Sequence, residues 1–128
     1  MTQSFTEPNH FEEFLFSEGN GNISREVITV ASGQKLLAGQ PFQLSGGKAI
    51  ACTGTVNTAG GIVTHVAGIL SHDVDASATG ANADVPNCAY IARHAEVVDA
   101  LIQYNGVGST QKAAIKLDLK NTLDIIQR

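Results

Sequence analysis

Short apolar runs bounded by turn residues, rather than long helical stripes, dominate this chain. The two most informative are Val66-Ala67-Gly68-Ile69-Leu70 and Cys88-Ala89-Tyr90-Ile91-Ala92. Runs of this length between turn signals read as buried strands. The residues between them are rich in Asp, Ala, Ser, Gly and Asn and close on Pro86, which is loop composition. The stretch from Ala67 to Tyr104 therefore reads as a strand, a long solvated excursion and a return strand. The rest of the chain is expected to be organised around it.

The flanking pattern continues in the same manner. Glu26 to Ala31 is a β-branched run that predicts a strand, and Ser32-Gly33 turns the chain. Gly39 and Pro41 bracket a bend, and Gly46-Gly47 form a hairpin turn into a strand over Lys48 to Cys52. Thr53 to Gly61 is small and polar, a surface loop, and Ile62 to Leu70 resumes the strand pattern. Ser17 to Asn22 is a turn cluster, and Asn105 to Ser109 a linker. Thr110 to Lys120 reads as the one clear helix, with Ser109 or Thr110 as N-cap. Ala114, Ile115, Leu119 and Leu123 form its apolar stripe, with Lys112, Lys116 and Lys120 on another face. Ile115, Leu117 and Leu119 also alternate, which leaves a strand open. Asn121 is placed to end the helix, and Leu123 to Ile126 would be a last short strand. No repeat runs through the sequence.

The N-terminal segment departs from this pattern. Residues 1 to 10 carry Phe5 and little else that is apolar, and three of the five Phe then crowd into Phe11-Glu12-Glu13-Phe14-Leu15-Phe16. Two readings stand side by side. One is a first strand packed on the domain's own core. The other is an acidic, Phe-rich arm that adds a strand to an exposed sheet edge of a partner and orders on binding.

Composition narrows the classes. The 128 residues suffice for one domain with a sizeable core, since 43% are apolar. Only 16% are charged, and 12 acids against 8 bases give a net charge of −4. Nucleic-acid binders concentrate bases in a patch. Here Lys112, Lys116, Lys120 and Arg128 are interrupted by Asp118 and Asp124, which suits a solvated helix face. Cys52 and Cys88 lack a CxxC spacing and sit in apolar runs, so free buried thiols are expected. The sequence carries neither a secretory signal nor a membrane-length apolar run. A soluble chain in a reducing compartment, with neither nucleic acid nor membrane as partner, is the expectation.

Candidate chemistry is sparse. Gly19 and Gly21 open what could be a dinucleotide loop, but Ser24 stands where a third Gly is required. Gly46-Gly47-Lys48 resembles a phosphate loop only faintly, because Phe42 occupies its first Gly position and Ala49 follows the lysine. Asn22-Ile23-Ser24 fits a glycosylation acceptor but has no secretory context. His65, His72, Asp73 and Asp75 are the one local group with metal-ligand chemistry, and in a strand only Asp73 and Asp75 would share a face. No nucleophile elbow is present and neither Cys has a His partner in a recognisable signature. The residues assign no enzyme activity, no cofactor and no metal.

Three segments carry a resemblance. They are LFSEGNGNISREVITVASGQKLLAGQPF at residues 15–42, AGILSHDVDAS through IARHAEV within 67–97, and QKAAIKLDLKNTLDIIQR at 111–128. In their order and spacing they resemble the head decoration (head-stabilisation) proteins of tailed bacteriophages, the group that includes phage lambda's decoration protein. Two departures are visible. Such proteins commonly carry Trp-Pro where this chain has Tyr104-Asn105, and a final Gly-Ile-Ile-Val-Arg where it has Asp124-Ile125-Ile126-Gln127-Arg128.

The resemblance implies a mainly β domain of the β-clip type with limited helix, chiefly near 110–120. It implies an extended N-terminal arm over residues 1–16 ahead of a single β-rich domain over 17–128. It further implies a homotrimer on the outer surface of the expanded phage head, at three-fold and quasi-three-fold positions, bound to the major capsid protein and stabilising the shell against genome pressure. The capsid-binding role carries over to Phe11, Glu12, Glu13, Phe14, Leu15 and Phe16. Such a protein would be made in the bacterial cytoplasm and used in the virion. Two rival readings remain at this stage: another virion component, such as a tail or spike protein, and a small trimeric β-fold enzyme.

Overall fold

The computed structural model describes residues 14–19, 24–56, 62–104 and 106–128. In chain order the elements are β1 (Leu15–Glu18), β2 (Arg25–Val30), β3 (Lys35–Leu36), β4 (Pro41–Ser45), β5 (Lys48–Ala51), β6 (Gly68–Leu70), β7 (Val74–Asp75), β8 (Val85–Ile91), β9 (Ala95–Val97), α1 (Ser109–Leu123) and β10 (Ile125–Gln127). A short 3-10 turn at Asp99–Leu101 precedes α1. Among the described residues the architecture is mainly β with one α-helix, as the sequence pattern predicts.

Five strands close into a small barrel in the order β2-β5-β4-β6-β8. Residues whose side chains alternate inward fill it: Val30, Phe42, Ala49, Leu70 and Cys88 are all buried in one cluster. The Phe42 ring meets the Tyr90 ring edge-on at 5.0 Å between centroids. The expected strand and return strand are β6 and β8, antiparallel with Ile69 opposite Ile91 and Leu70 opposite Tyr90. Gly68 permits this pairing, because a Cβ there would lie 2.5 Å from the Tyr90 ring and 2.7 Å from the Ile91 carbonyl.

The outward faces of β6 and β8 join a second layer. Ile69 and Ile91 pack with Phe14, Val97, Ile115, Leu119 and Ile125 in a separate cluster. Its cover is α1 and a three-stranded sheet in the order β1-β9-β10. β1 runs antiparallel to β9 and β10 parallel to it. β3 and β7 form a two-stranded ribbon beside the barrel.

Several expectations change in detail. Pro86 belongs to β8 rather than to the loop. It sits in a bulge where Ile28 pairs with Cys88 and Val30 with Val85, and Asn87 takes a φ of 59° there. The excursion before it is not loop throughout, because β7 lies within it. Ser17 and Glu18 are not turn residues but the end of β1, paired with Glu96 and Ala95.

Only Gly68–Leu70 of the expected Ile62 to Leu70 strand joins the sheet. Ile62 makes only an isolated bridge to Val56, and the Val66 N–H donates to Asp118 of α1. α1 begins one residue earlier than expected, with Gly108 as N-cap and its carbonyl accepting from the Lys112 N–H at 2.9 Å. Neither Ser109 nor Thr110 caps it. It also passes Asn121, since Leu123 packs onto the core, and ends at Asp124 in the left-handed conformation.

Candidate functional site

Phe14 is where the N-terminal segment meets the domain. Its side chain is 1% exposed in the helix-side cluster, and its carbonyl accepts the Val98 N–H at 2.8 Å. Gly39, at a φ of +83°, allows the ring to come close: a Cβ there would lie 3.2 Å from Phe14 Cδ1 and 2.9 Å from the Leu101 carbonyl. Leu15 follows, half-buried against the same cluster. Phe16 is the second residue of β1. Phe11, Glu12 and Glu13 lie outside the described residues. The boundary expected between residues 16 and 17 thus falls inside β1.

The register of the sheet brings its first and last described strands together at Val97. Leu15 and Gln127 each pair with Val97, from opposite sides of β9. Phe14 and Arg128 therefore lie at the same end of the sheet. Arg128 donates to Glu96 at 2.9 Å, and that bond lowers the Glu96 pKa and raises that of Arg128. At the other end of β1, Glu18 receives Nε and Nη2 of Arg25 in a forked pair, each within 3.1 Å. Ser24 staples this corner: its hydroxyl accepts from the Gly19 N–H at 2.8 Å and donates to the His94 carbonyl at 2.9 Å.

Behind the sheet stands Tyr104, at one of the two positions where the resemblance departs. Its hydroxyl donates to Gln127 Oε1 at 2.8 Å and lies 3.4 Å from Asp99. Lys112 sits 5.4 Å above its ring. Burial pushes the Tyr104 pKa up to about 12, with the Asp99 charge acting in the same direction. The side chain thus ties α1, the 3-10 turn and β10 at the end of the sheet where Leu15 and Gln127 pair with Val97.

The histidines and acids singled out in the sequence are dispersed. His65 bonds Asp118 at 2.7 Å. Asp73 accepts the Ala38 N–H at 2.8 Å, and Asp75 accepts from the Ser77 and Thr79 hydroxyls, with Ser77 the larger cause of its lowered pKa. Among the described residues no three His, Cys, Asp or Glu side chains gather in a metal-binding arrangement. Cys52 and Cys88 are free and buried in different clusters, where loss of solvent raises both thiol pKa values. No helix among the described residues is long and apolar enough to cross a membrane.

Two features were not singled out from the sequence. Asp118 is buried within α1 and accepts from the Val66 N–H at 2.7 Å, from the Thr122 hydroxyl at 2.9 Å, and bonds the His65 ring. Leu117 is 58% exposed beside Lys116 and Lys120, in a shallow groove completed by Ile126 and Gln127 of β10. The signal for Leu117 was present: it falls outside the helical stripe of Ile115, Leu119 and Leu123.

A family model described as "Bacteriophage lambda head decoration protein D" matches residues 4–123. No curated protein matches the chain.

Proposed function

From the membership of this chain in the bacteriophage lambda head decoration protein D family, a structural family of the phage capsid, we propose how decoration is carried out. The protein binds as a homotrimer to the outer surface of the expanded head, at three-fold and quasi-three-fold positions, and contacts the major capsid protein. The capsid-binding arm comprises residues 1–16, with Phe14 and Leu15 as its root in the domain. The observation that carries this reading is the family match over residues 4–123, and the burial of Phe14 supports it by supplying a fixed anchor. A rigid root limits the entropy lost when the preceding residues engage the shell.

Binding that clamps neighbouring capsomers favours whichever lattice presents the sites. Differential affinity for the expanded form then stabilises it against genome pressure. Three linked arms raise one another's effective concentration, so individually weak contacts sum to durable attachment.

The test is a truncation of residues 2–13. A cut through residue 16 would strip Phe14 from the core and confound binding with folding. The shorter truncation is expected to keep its far-UV circular dichroism and unfolding midpoint, to give three copies by native mass measurement, and to lose cosedimentation with expanded heads. Undiminished attachment would refute the arm.

A further inference from the structure

The shallow groove between α1 and β10 combines three features that suit an extended, acidic peptide. Leu117, 58% exposed, and Ile126 give it an apolar floor. Lys116 and Lys120 form a basic rim, in a chain whose net charge is −4. Its wall is β10, an edge strand that pairs with β9 alone among the described strands. An open edge offers main-chain donors and acceptors to one further strand.

The rim carries charge to spare. Lys116 makes one exposed contact with Asp99 at 3.6 Å, and Lys120 has no carboxylate partner among the described residues. The two lysines are separated along the helix by a rise of about 6 Å. Alternate residues of an extended strand stand about 6.6 Å apart on one face, so two carboxylates spaced i, i+2 match the pair. A second copy is a poor source for them. Glu18, Glu26, Asp84, Glu96 and Asp124 each have a Lys, Arg or His partner already, and Asp118 is buried.

We propose that the α1–β10 groove is a second contact with the expanded head, separate from the arm, in which an extended acidic segment of the major capsid protein lies beside β10. Its carboxylates pair with Lys116 and Lys120, and an apolar side chain covers Leu117 and Ile126. This contact rests on the decoration reading above and adds to it a place on the domain itself.

Decorated heads provide the test. A zero-length carbodiimide joins amines to carboxylates in direct contact. Wild-type protein on expanded heads should therefore yield peptides linking Lys116 or Lys120 to Asp or Glu of the major capsid protein. Leu117→Glu and Lys120→Gln should each weaken cosedimentation roughly tenfold, because each loss is repeated in three linked copies. Both variants should keep three copies by native mass measurement and an unchanged unfolding midpoint. Lys35→Gln on β3 removes the same charge outside the groove and should leave attachment within about twofold of wild type.

Undiminished attachment of both groove variants would overturn the proposal, as would an equal loss in Lys35→Gln, which would reduce the effect to net charge. Links from these lysines only to another copy, or dissociation of the variants into single copies, would assign the groove to contact between copies and overturn it equally. The cross-links are read on the wild-type chain, so they decide even if a variant misfolds. Truncation of residues 2–13 leaves the groove intact, so failure of the arm and failure of the groove are distinguishable. A wild-type protein that never attaches to heads would sink the decoration reading and this contact with it.

Discussion

The barrel and the layer of sheet and helix beside it solve the same burial problem with different materials. The barrel encloses Val30, Phe42, Ala49, Leu70 and Cys88 within strands that close on one another. Closure removes free edges, which otherwise invite unwanted pairing. The second layer is assembled from both ends of the chain. β1 opens the described sequence, β10 closes it, and both pair with β9. Its strands are short, its cover is one helix, and it carries the N-terminal root and the basic groove. The N-terminal root and the basic groove thus belong to the three-stranded layer and its helix, while the barrel closes on itself.

How separable the two halves are can be tested by removing one aromatic ring from each. Phe42 and Phe14 are almost fully buried, at 0% and 1% exposure, so Phe→Ala at either site should cost about 3–5 kcal/mol. A single cooperative denaturant transition is expected in both variants, because adjacent residues of β6, Ile69 and Leu70, belong to opposite clusters and couple them. A second transition in Phe14→Ala alone would show that the outer layer melts on its own. Far-UV circular dichroism at constant m-value is the measurement.

A pH scan sharpens the comparison on the layer's side. The Tyr104 pKa rises from 10.0 to about 12 on folding, chiefly through burial. The neutral hydroxyl's contribution is therefore complete below pH 10 and is lost as pH climbs through 12, where the folded tyrosine ionises. Burial raises Tyr90, Cys52 and Cys88 in the same direction, so the decisive quantity is the difference from Tyr104→Phe. That variant should lose about 1 kcal/mol at neutral pH with the Gln127 bond and then show a shallower alkaline decline. Parallel curves would mean that Tyr104 is not the group responsible.

The same division explains what could be read from the residues alone. The β-branched run at 26–31, the Gly46-Gly47 hairpin and the pairing of the 66–70 and 88–92 runs are local or strongly apolar signals, and they locate most of the barrel. The outer sheet has no such signature. β9 is three residues long, and β1 was hidden in a Ser-Glu-Gly-Asn stretch whose composition suggests only a turn. What makes Ser17 and Glu18 strand is partnership with Glu96 and Ala95, which no window along the sequence contains. Phe14 to Phe16 were legible as aromatic and as either arm or strand. Choosing between those readings for Phe14 required seeing the cluster it enters.

Asp118 offers the finest probe of how the helix is held to the barrel. It is a buried carboxylate on α1, and its two oxygens reach the Val66 N–H, the His65 ring and the Thr122 hydroxyl. Val66 lies two residues before β6, so this one side chain supplies the acceptor that no backbone carbonyl gives the Val66 N–H. Asp118→Ala leaves a buried N–H without an acceptor, an expected cost of about 1–3 kcal/mol. Asp118→Asn keeps one acceptor oxygen and should cost less. The damage should be local: hydrogen exchange at the Val66 amide should accelerate in Asp118→Ala well beyond that at Phe42 or Leu70 inside the barrel. Equal acceleration at all three amides would mean that the tether stabilises only the global fold, and that helix and barrel are less distinct than their cores suggest.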